Sequence, residues 1–557
     1  MSIFLELMYD AFGGWLEGGG TSYATNKLTE TRNDNYNVTA QVLVNYHHTF
    51  GKYHNFSAMA GFENYVAKSE NLTAARDQYE LTQYPYLNIG PEDFQENSGS
   101  ASEYTSNSFF GRVMYDYDGR YLFQANVRHD GSSRFASKYR WGTFPSASAG
   151  WVISQESFMD GLKPVLSFLK LRASWGMLGN ERIGSNYFPY LALINFGDAL
   201  FYKDGDVTSN KTASQRALAV EDITWETTTS TDLGLDATLF DSRLSLGFDY
   251  YWKKTDGMLL SIEIPWAMGY NNPSTNAGKM STRGWDLELG WHDRVGDLIY
   301  TVSANVSDFL SRIDYLNDAD IIGSSTIQRA GEYYNAYYGY VSEGLFLTQE
   351  DVDNSAKLNN SVAVGDIKYK DISGPDGVPD GKISPEYDRV VLGNQFPRFQ
   401  FGGNINIAYK GFDFSMAFQG IGKKNSYMGS AMVQPLRDNY GNIPAIIDGK
   451  YWSPFNTDEE NAKAIYPRLT KVGISNNYAI SDYWMFNGAY FRLKNITLGY
   501  TIPSKWTSVI GAKKVRVYAS ASDLFSISNY PKGWDPEMGY TSYPITTSVL
   551  MGVSIKF

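Results

Sequence analysis

No cysteine occurs anywhere in the chain, which excludes disulfide frameworks, thiol nucleophiles and cysteine-based metal sites together. No run approaches the roughly 18 apolar residues of a membrane helix, so a membrane protein of this composition must cross with strands. Histidine is scarce: His47, His48, His54, His129 and His292 show no HExxH or other ligand spacing and are read as strand surface positions. Basic charge is in deficit, with 48 Lys and Arg against 60 Asp and Glu, and a net charge of −12 argues against a nucleic-acid partner. There is no GxSxG elbow, and Gly420–Lys424 lacks the flanking residues of a phosphate loop. Linkers, charge blocks and fixed repeats of 20–50 residues are missing as well. A length of 557 residues suggests about three or four soluble domains, yet nothing marks boundaries between them.

What is present is period-two alternation. Between Arg398 and Gln419, Phe399, Phe401, Ile405, Ile407 and Tyr409 alternate with polar or small residues. Lys410-Gly411 then turns the chain, and Phe412, Phe414, Met416 and Phe418 alternate with Asp413, Ser415, Ala417 and Gln419. Such a strand of 12 residues, at about 3.3 Å each and tilted by about 45°, covers roughly 28 Å, the height of the apolar band on an outer-membrane barrel. The pattern recurs in Tyr36–Phe50, Tyr53–Ala67, Ser108–Tyr117, Tyr121–Asp130, Thr143–Ser154, Phe168–Met177, Asp232–Phe240, Arg243–Lys253, Trp285–Trp291, Ile299–Phe309, Phe491–Thr501, Val515–Phe525 and Thr547–Phe557. Turns near Gly51, Asp118, Asp241, Arg294 and Lys410 alternate with connections of tens of residues, among them Ser69–Asn107 and Leu178–Asp222. Short connections at one rim and long ones at the other mark a membrane barrel. Aromatics are 15% of residues while mean hydropathy is negative, as expected if one face of each strand is greasy and the other wet. A soluble sandwich shares the alternation but not the alternating connection lengths. In the last strand Val549, Met551, Val553, Ile555 and Phe557 are expected to face lipid.

Met1–Gly20 has no basic n-region and carries Glu6 and Asp10, so it is not read as a secretion signal. Residues 1–35 are expected to be irregular, and residues 36–557 to form the barrel portion with roughly 14–16 strands.

Several segments are similar to the SusC/RagA-like class of TonB-dependent outer-membrane transporters: Phe109–Gly150, Leu169–Asn180 (LKLRASWGMLGN), Ile223–Leu260, Gly365–Gly420 and Gly488–Tyr500 (GAYFRLKNITLGY). The resemblance runs in order over almost the whole chain from about Tyr36. It implies an all-β, antiparallel transmembrane barrel of 22 strands, of which this chain carries the C-terminal part without a plug. It also implies location in the outer membrane, contact with its lipid, coupling to the TonB–ExbB–ExbD complex through an upstream region, a SusD-like lipoprotein lid, and import of oligosaccharides or peptides. A passive porin-like channel or a non-transporting surface barrel is the alternative, and no catalytic residues are expected.

The loop Gly365–Gly393 sets Asp371, Asp376, Asp380 and Asp388 among Gly374, Gly377 and Gly381. Calcium takes six to eight oxygens, which closely spaced carboxylates and glycine-bent backbone carbonyls can supply, so these four are candidate calcium ligands. The spacing is not that of an EF-hand, and a plain Asp/Gly/Pro turn reads equally from it. Asp286/Glu288 and Asp232/Asp236 resemble paired acids but fall on strand faces expected to be wet. Tyr187, Tyr190, Tyr270, Tyr427, Tyr451 and Trp452 are the loop aromatics that could stack on a substrate.

Overall fold

The structure, a computed structural model, describes residues 2–10, 13–16, 20–23, 26–81, 83–183, 187–203, 205–317, 320–429, 434–436, 443, 445–471, 474–531, 534–539 and 543–557, with side chains from residue 26 on apart from those of 203 and 474. Sixteen strands form one antiparallel sheet: β1 Ser2–Asp10, β2 Lys27–Phe50, β3 His54–Arg76, β4 Gln95–Tyr117, β5 Tyr121–Ser132, β6 Trp141–Val152, β7 Leu166–Asn180, β8 Glu226–Leu239, β9 Leu244–Ser261, β10 Ser274–Val295, β11 Leu298–Tyr315, β12 Arg398–Tyr409, β13 Phe412–Lys423, β14 Tyr490–Ile502, β15 Lys514–Ser528 and β16 Ser548–Lys556. Each strand neighbours the next in this order. The chain divides into two compact units, Met1–Ser148 with Gly176–Thr229 and Gly257–Ala277, and Ala149–Trp175 with Ser230–Asp256 and Gly278–Phe557.

In the first unit β2, β3 and β4 pair without interruption, from Leu28 opposite Arg76 to Phe50 opposite His54, and from Arg76 opposite Gln95 to His54 opposite Tyr117. β3 has 23 residues, roughly 75 Å at about 3.3 Å each, far more than a bilayer requires. The segment Ser69–Asn107, expected to be a long loop, therefore holds the outer halves of two strands. It hid from hydropathy because polar residues occupy both faces: on one, Asn71 Nδ2 donates to Asn33 at 2.6 Å, Ser69 Oγ to Asn35 at 2.7 Å, and Thr31 faces Thr73, and on the other Asp34 lies opposite Glu70 and Arg32 opposite Leu72. Cross-strand polar pairs can hold a ladder where apolar burial does not. The N-terminal segment also departs from expectation. β1 pairs with β2 from Ser2 opposite Asn35 to Asp10 opposite Lys27, so residues 1–35 are not irregular throughout. Its signal was the alternation of Ile3, Leu5, Leu7 and Tyr9 with Phe4, Glu6, Met8 and Asp10. Likewise Leu178–Asp222 contains a hairpin, Ile194–Lys203 paired with Asp206–Gln215.

In the second unit the register keeps one apolar face across six strands. Ile555, Val553 and Met551 lie opposite Val515, Val517 and Ala519, which lie opposite Ile502, Tyr500 and Leu498. Phe414 and Met416 lie opposite Leu498 and Ile496 on one side and Ile407 and Ile405 on the other, and these in turn meet Tyr300 and Val302. The intervening positions carry Ser520, Thr497, Ser415, Asn406 and Thr301. A slip of one residue would exchange the two sets, so the pattern fixes the register. Away from Val515, which is buried at the end of its strand, this set includes well-exposed side chains: Met551 is 80% exposed and Val553 61%. The tight turns fall where expected. Lys410 (φ 46°) and Gly411 (φ 90°) take the left-handed conformation that a primed hairpin turn requires, and Asp118 and Gly119 do the same.

Candidate functional site

The polar face of the second unit carries charge in an ordered way. On β7, β8, β9 and β10 the alternate positions hold Arg172, then Asp232, Gly234 and Asp236, then Asp249, then Asp286 and Glu288. Arg172 reaches across the sheet. Its Nε and Nη2 donate to the two oxygens of Asp236 at 2.7 and 3.0 Å, and the same guanidinium meets Asp249 at 3.0 Å through Nη1. Gly234 makes room for it, because a Cβ there would collide with the Asp249 carboxylate and lie 2.6 Å from the Arg172 Cζ. The paired acids of the sequence are thus wall residues, with Asp236 engaged by arginine. Alongside lies a cleft of about 500 Å³ whose polar lining is Asp236, Thr238, Ser245, Glu288, Ser303, Asn305 and Asn404, with Phe168, Leu246 and Leu289 also in its wall. Hydroxyl, amide and carboxylate groups on a rigid sheet suit a hydrated, hydrogen-bonding solute.

Above the strands the long connections of the same unit build a packed module. Tyr340, Ile367, Tyr369, Ile383 and Trp484 form its core. Buried Asp366 ties distant segments together: Arg468 Nε donates to it at 2.6 Å, Asn477 Nδ2 at 2.9 Å and the Ala363 N–H at 2.8 Å. Asn477 then accepts from the Ile367 N–H at 2.9 Å, and the Tyr369 hydroxyl donates to the Asn476 carbonyl at 2.6 Å. Burial pushes the Tyr369 phenol far above its ordinary range, so it stays a donor.

The acidic loop sits in this module. Asp388 is fully buried; its Oδ1 accepts the N–H groups of Ile372 and Ser373 at 2.7 and 3.2 Å, and its Oδ2 accepts that of Ser384 at 2.7 Å. Asp371 accepts the Gly381 N–H at 2.7 Å and Asp380 that of Lys382 at 3.0 Å, while Asp376 is exposed. Among the described residues no three acidic or histidine side chains are grouped as metal ligands. One oxygen of Asp371 is buried without a partner, but both oxygens of Asp388 are committed to backbone donors. The six to eight oxygens of a calcium shell are not assembled by these four side chains.

The loop aromatics divide by role. Tyr187 lies under the Arg134 guanidinium at 4.5 Å and the Tyr190 hydroxyl donates to the Ser133 carbonyl, so both pack their own unit. Tyr427 packs on the module core, Tyr451 pairs through its backbone with Tyr466, and Trp452 fills the space that a Cβ on Gly365 would occupy. Tyr270 lies half-buried in its connection. Rings outside that set face solvent most fully, Phe455 at 97% exposed and Trp266 at 91% among them. A flanking proline, Pro454 and Pro265, is the sequence signal each offered.

The profile of the family described as TonB dependent receptor-like, beta-barrel, matches residues 4–524. The chain belongs to that family. TonB-dependent receptor P3 of Formosa agariphila is 28% identical over 575 residues, covering 97% of this chain and 53% of the relative. TonB-dependent receptor SusC of Bacteroides thetaiotaomicron is 29% identical over 538 residues, covering 94% of this chain and 50% of SusC. This TonB-dependent receptor chain thus spans about half the length of the relatives it matches. Among solved structures, the RagAB peptide transporter aligns over 100% of the chain and 59% of its own, with a TM-score of 0.80 and 22% identity, which shows the barrel fold. The match from residue 4 places the N-terminal strands within the barrel domain. The family is one of receptors and transporters rather than enzymes.

Proposed function

We propose that the chain is the barrel portion of a SusC-type importer in the outer membrane, taking up oligosaccharides or peptides under a SusD-like lipoprotein lid and driven by the TonB–ExbB–ExbD complex. The observation that carries the reading is the two-faced register, an unbroken apolar face on one side and a wall of Arg172, acids and amides on the other. The packed module of the long connections offers the surface against which a lid closes and a solute is received. RagAB, named a peptide transporter, supports peptides as cargo, and SusC supports the same class of receptor.

Cells carrying the intact receptor should accumulate fluorescent oligosaccharides or peptides only while the inner membrane is energised. A protonophore should reduce uptake to background, and the neighbouring lipoprotein should co-purify. Uptake that ignores the protonophore would instead establish the passive-channel alternative.

For the acidic loop we infer that Asp388, rather than a bound ion, supplies order. Asp388→Asn should weaken three backbone hydrogen bonds to a buried carboxylate, a local loss of about 2–3 kcal/mol. Proteolysis of residues 365–393 should accelerate in that variant and be unchanged by a chelator. Faster digestion on chelation, reproduced by Asp380→Ala, would restore the calcium reading.

A further inference from the structure

The second unit carries a basic, aromatic edge where its chain turns tightly. The Thr501 N–H donates to the Gly411 carbonyl at 2.7 Å, so the connection 503–513 stands at the same end of the strands as the Lys410-Gly411 turn. The Lys513 N–H donates to the Lys556 carbonyl at 2.7 Å, which brings the end of β16 there too. In this connection Ser504–Thr507 is helical and continues as a tighter turn through Ile510. Thr507, Ala512 and the underlying Val515 are buried, whereas Trp506, Val509 and Ile510 are 67%, 85% and 64% exposed. The short helix therefore packs its small residues inward and presents its large apolar ones outward, the reverse of what water favours. Beside it, Tyr409, Phe412 and Tyr500 end the apolar face, with the Phe412 and Tyr500 rings 4.5 Å apart and Lys410 over the Tyr409 ring.

The charge here is one-sided. Lys505, Lys513, Lys514 and Lys556 fall in 503–522 and 548–557, stretches with no Asp or Glu in a chain of net charge −12. Lys514 and Lys556 are registered opposite each other on the water-facing side of the sheet, which leaves Lys505 and Lys513, in the connection that carries Trp506, Val509 and Ile510, as the cations beside the exposed apolar side chains. Asp413, which Lys514 feels, is already held by Arg516 at 2.9 Å, and Asp297 lies 3.8 Å from Lys410. Apolar side chains pointing outward, aromatics at the end of a lipid-facing surface and uncompensated lysines together match an anionic amphiphile.

We propose that this edge binds the phosphate headgroup of an anionic phospholipid through Lys505 and Lys513, with Trp506, Val509 and Ile510 seated among the acyl chains. The proposal rests on the membrane-crossing reading. It adds a lipid site that the transport function does not require, and it places one leaflet against this end of the strands.

The test uses the full chain in vesicles of phosphatidylcholine containing equal fractions of either brominated phosphatidylglycerol or brominated phosphatidylcholine. The Trp506 signal is obtained as the fluorescence difference from Trp506→Phe. Brominated phosphatidylglycerol should quench it about threefold more than brominated phosphatidylcholine. Changing Lys505 and Lys513 to serine should abolish the preference, and changing them to arginine should keep it. Equal quenching by both lipids would overturn the headgroup site while Trp285 and Trp291, on the apolar face, remain quenched. If those two are unquenched as well, the membrane-crossing reading itself fails.

Discussion

Arg492→Ala should detach the connection 529–547 from the sheet. Arg492 is 4% exposed, and its guanidinium meets Asp535 at 2.8 Å and Glu537 at 3.0 Å, with Asp523 at 3.8 Å; Lys494 binds Asp523 at 2.6 Å. Asp535 in turn accepts the N–H groups of Glu537 and Ile545 at 2.8 and 2.9 Å, so one arginine holds Asp535, Glu537 and Ile545 together. Removing it leaves three carboxylates against a single lysine in a buried place, which costs about 3–5 kcal/mol. Hydrogen exchange of residues 534–539 and 543–547 should rise by orders of magnitude, while β14 and β15 keep their protection. Burial alone would push the Asp535 carboxyl up, but Arg492 and the two N–H donors outweigh it and hold the group below the usual carboxylate range. A depressed folded-state pKa stabilises above the unfolded value of about 3.9 and is lost as pH falls through the folded one. The connection should therefore stay protected at pH 5–7 and open in strong acid. Arg492→Lys should restore part of the protection; an Ala variant indistinguishable from the parent would mean the network holds nothing in place.

Val553→Arg is expected to be the second large effect. Val553 is 61% exposed on the apolar face, opposite Val517. If that face meets hydrocarbon, an arginine costs about 2–4 kcal/mol at the midplane and less towards the Lys556 end of the strand, whereas in water it would cost almost nothing. Ser554→Arg, one residue on and facing the other way, is the control and should be nearly neutral. Urea titrations in liposomes separate the two, and equal midpoints for both variants would remove the assigned orientation.

These two positions also mark what reading the sequence can and cannot reach. The lipid-facing set of β16 and the turn at Lys410-Gly411 were legible because period-two alternation and a glycine-containing turn are local signals. The upper halves of β3 and β4 were not, since strands that leave the bilayer meet water on both faces and lose the alternation that identifies them. β1 was expected to be irregular although its alternation is visible, because Phe4 and Met8 put apolar residues into the polar set and blur the pattern. Site geometry was less legible still. Arg172 meets Asp236 and Asp249 across 64 and 77 residues of sequence, and Arg492 meets Asp535 across 43, separations over which no spacing rule operates. The aromatics chosen for lying in loops turned out in several cases to be packing residues, because a long connection with its own core needs rings inside as much as outside.

The central claim is that alternate residues of the strands face lipid and water, and the absence of cysteine makes it directly measurable. Single cysteines placed in turn at Phe412 through Gln419, spin-labelled in liposomes, report access to oxygen, which concentrates in hydrocarbon, and to a water-soluble nickel chelate. Labels at 412, 414, 416 and 418 should favour oxygen, and those at 413, 415, 417 and 419 should favour nickel, in strict alternation. Uniform accessibility along β13, or a maximum recurring every three to four residues, would contradict the account.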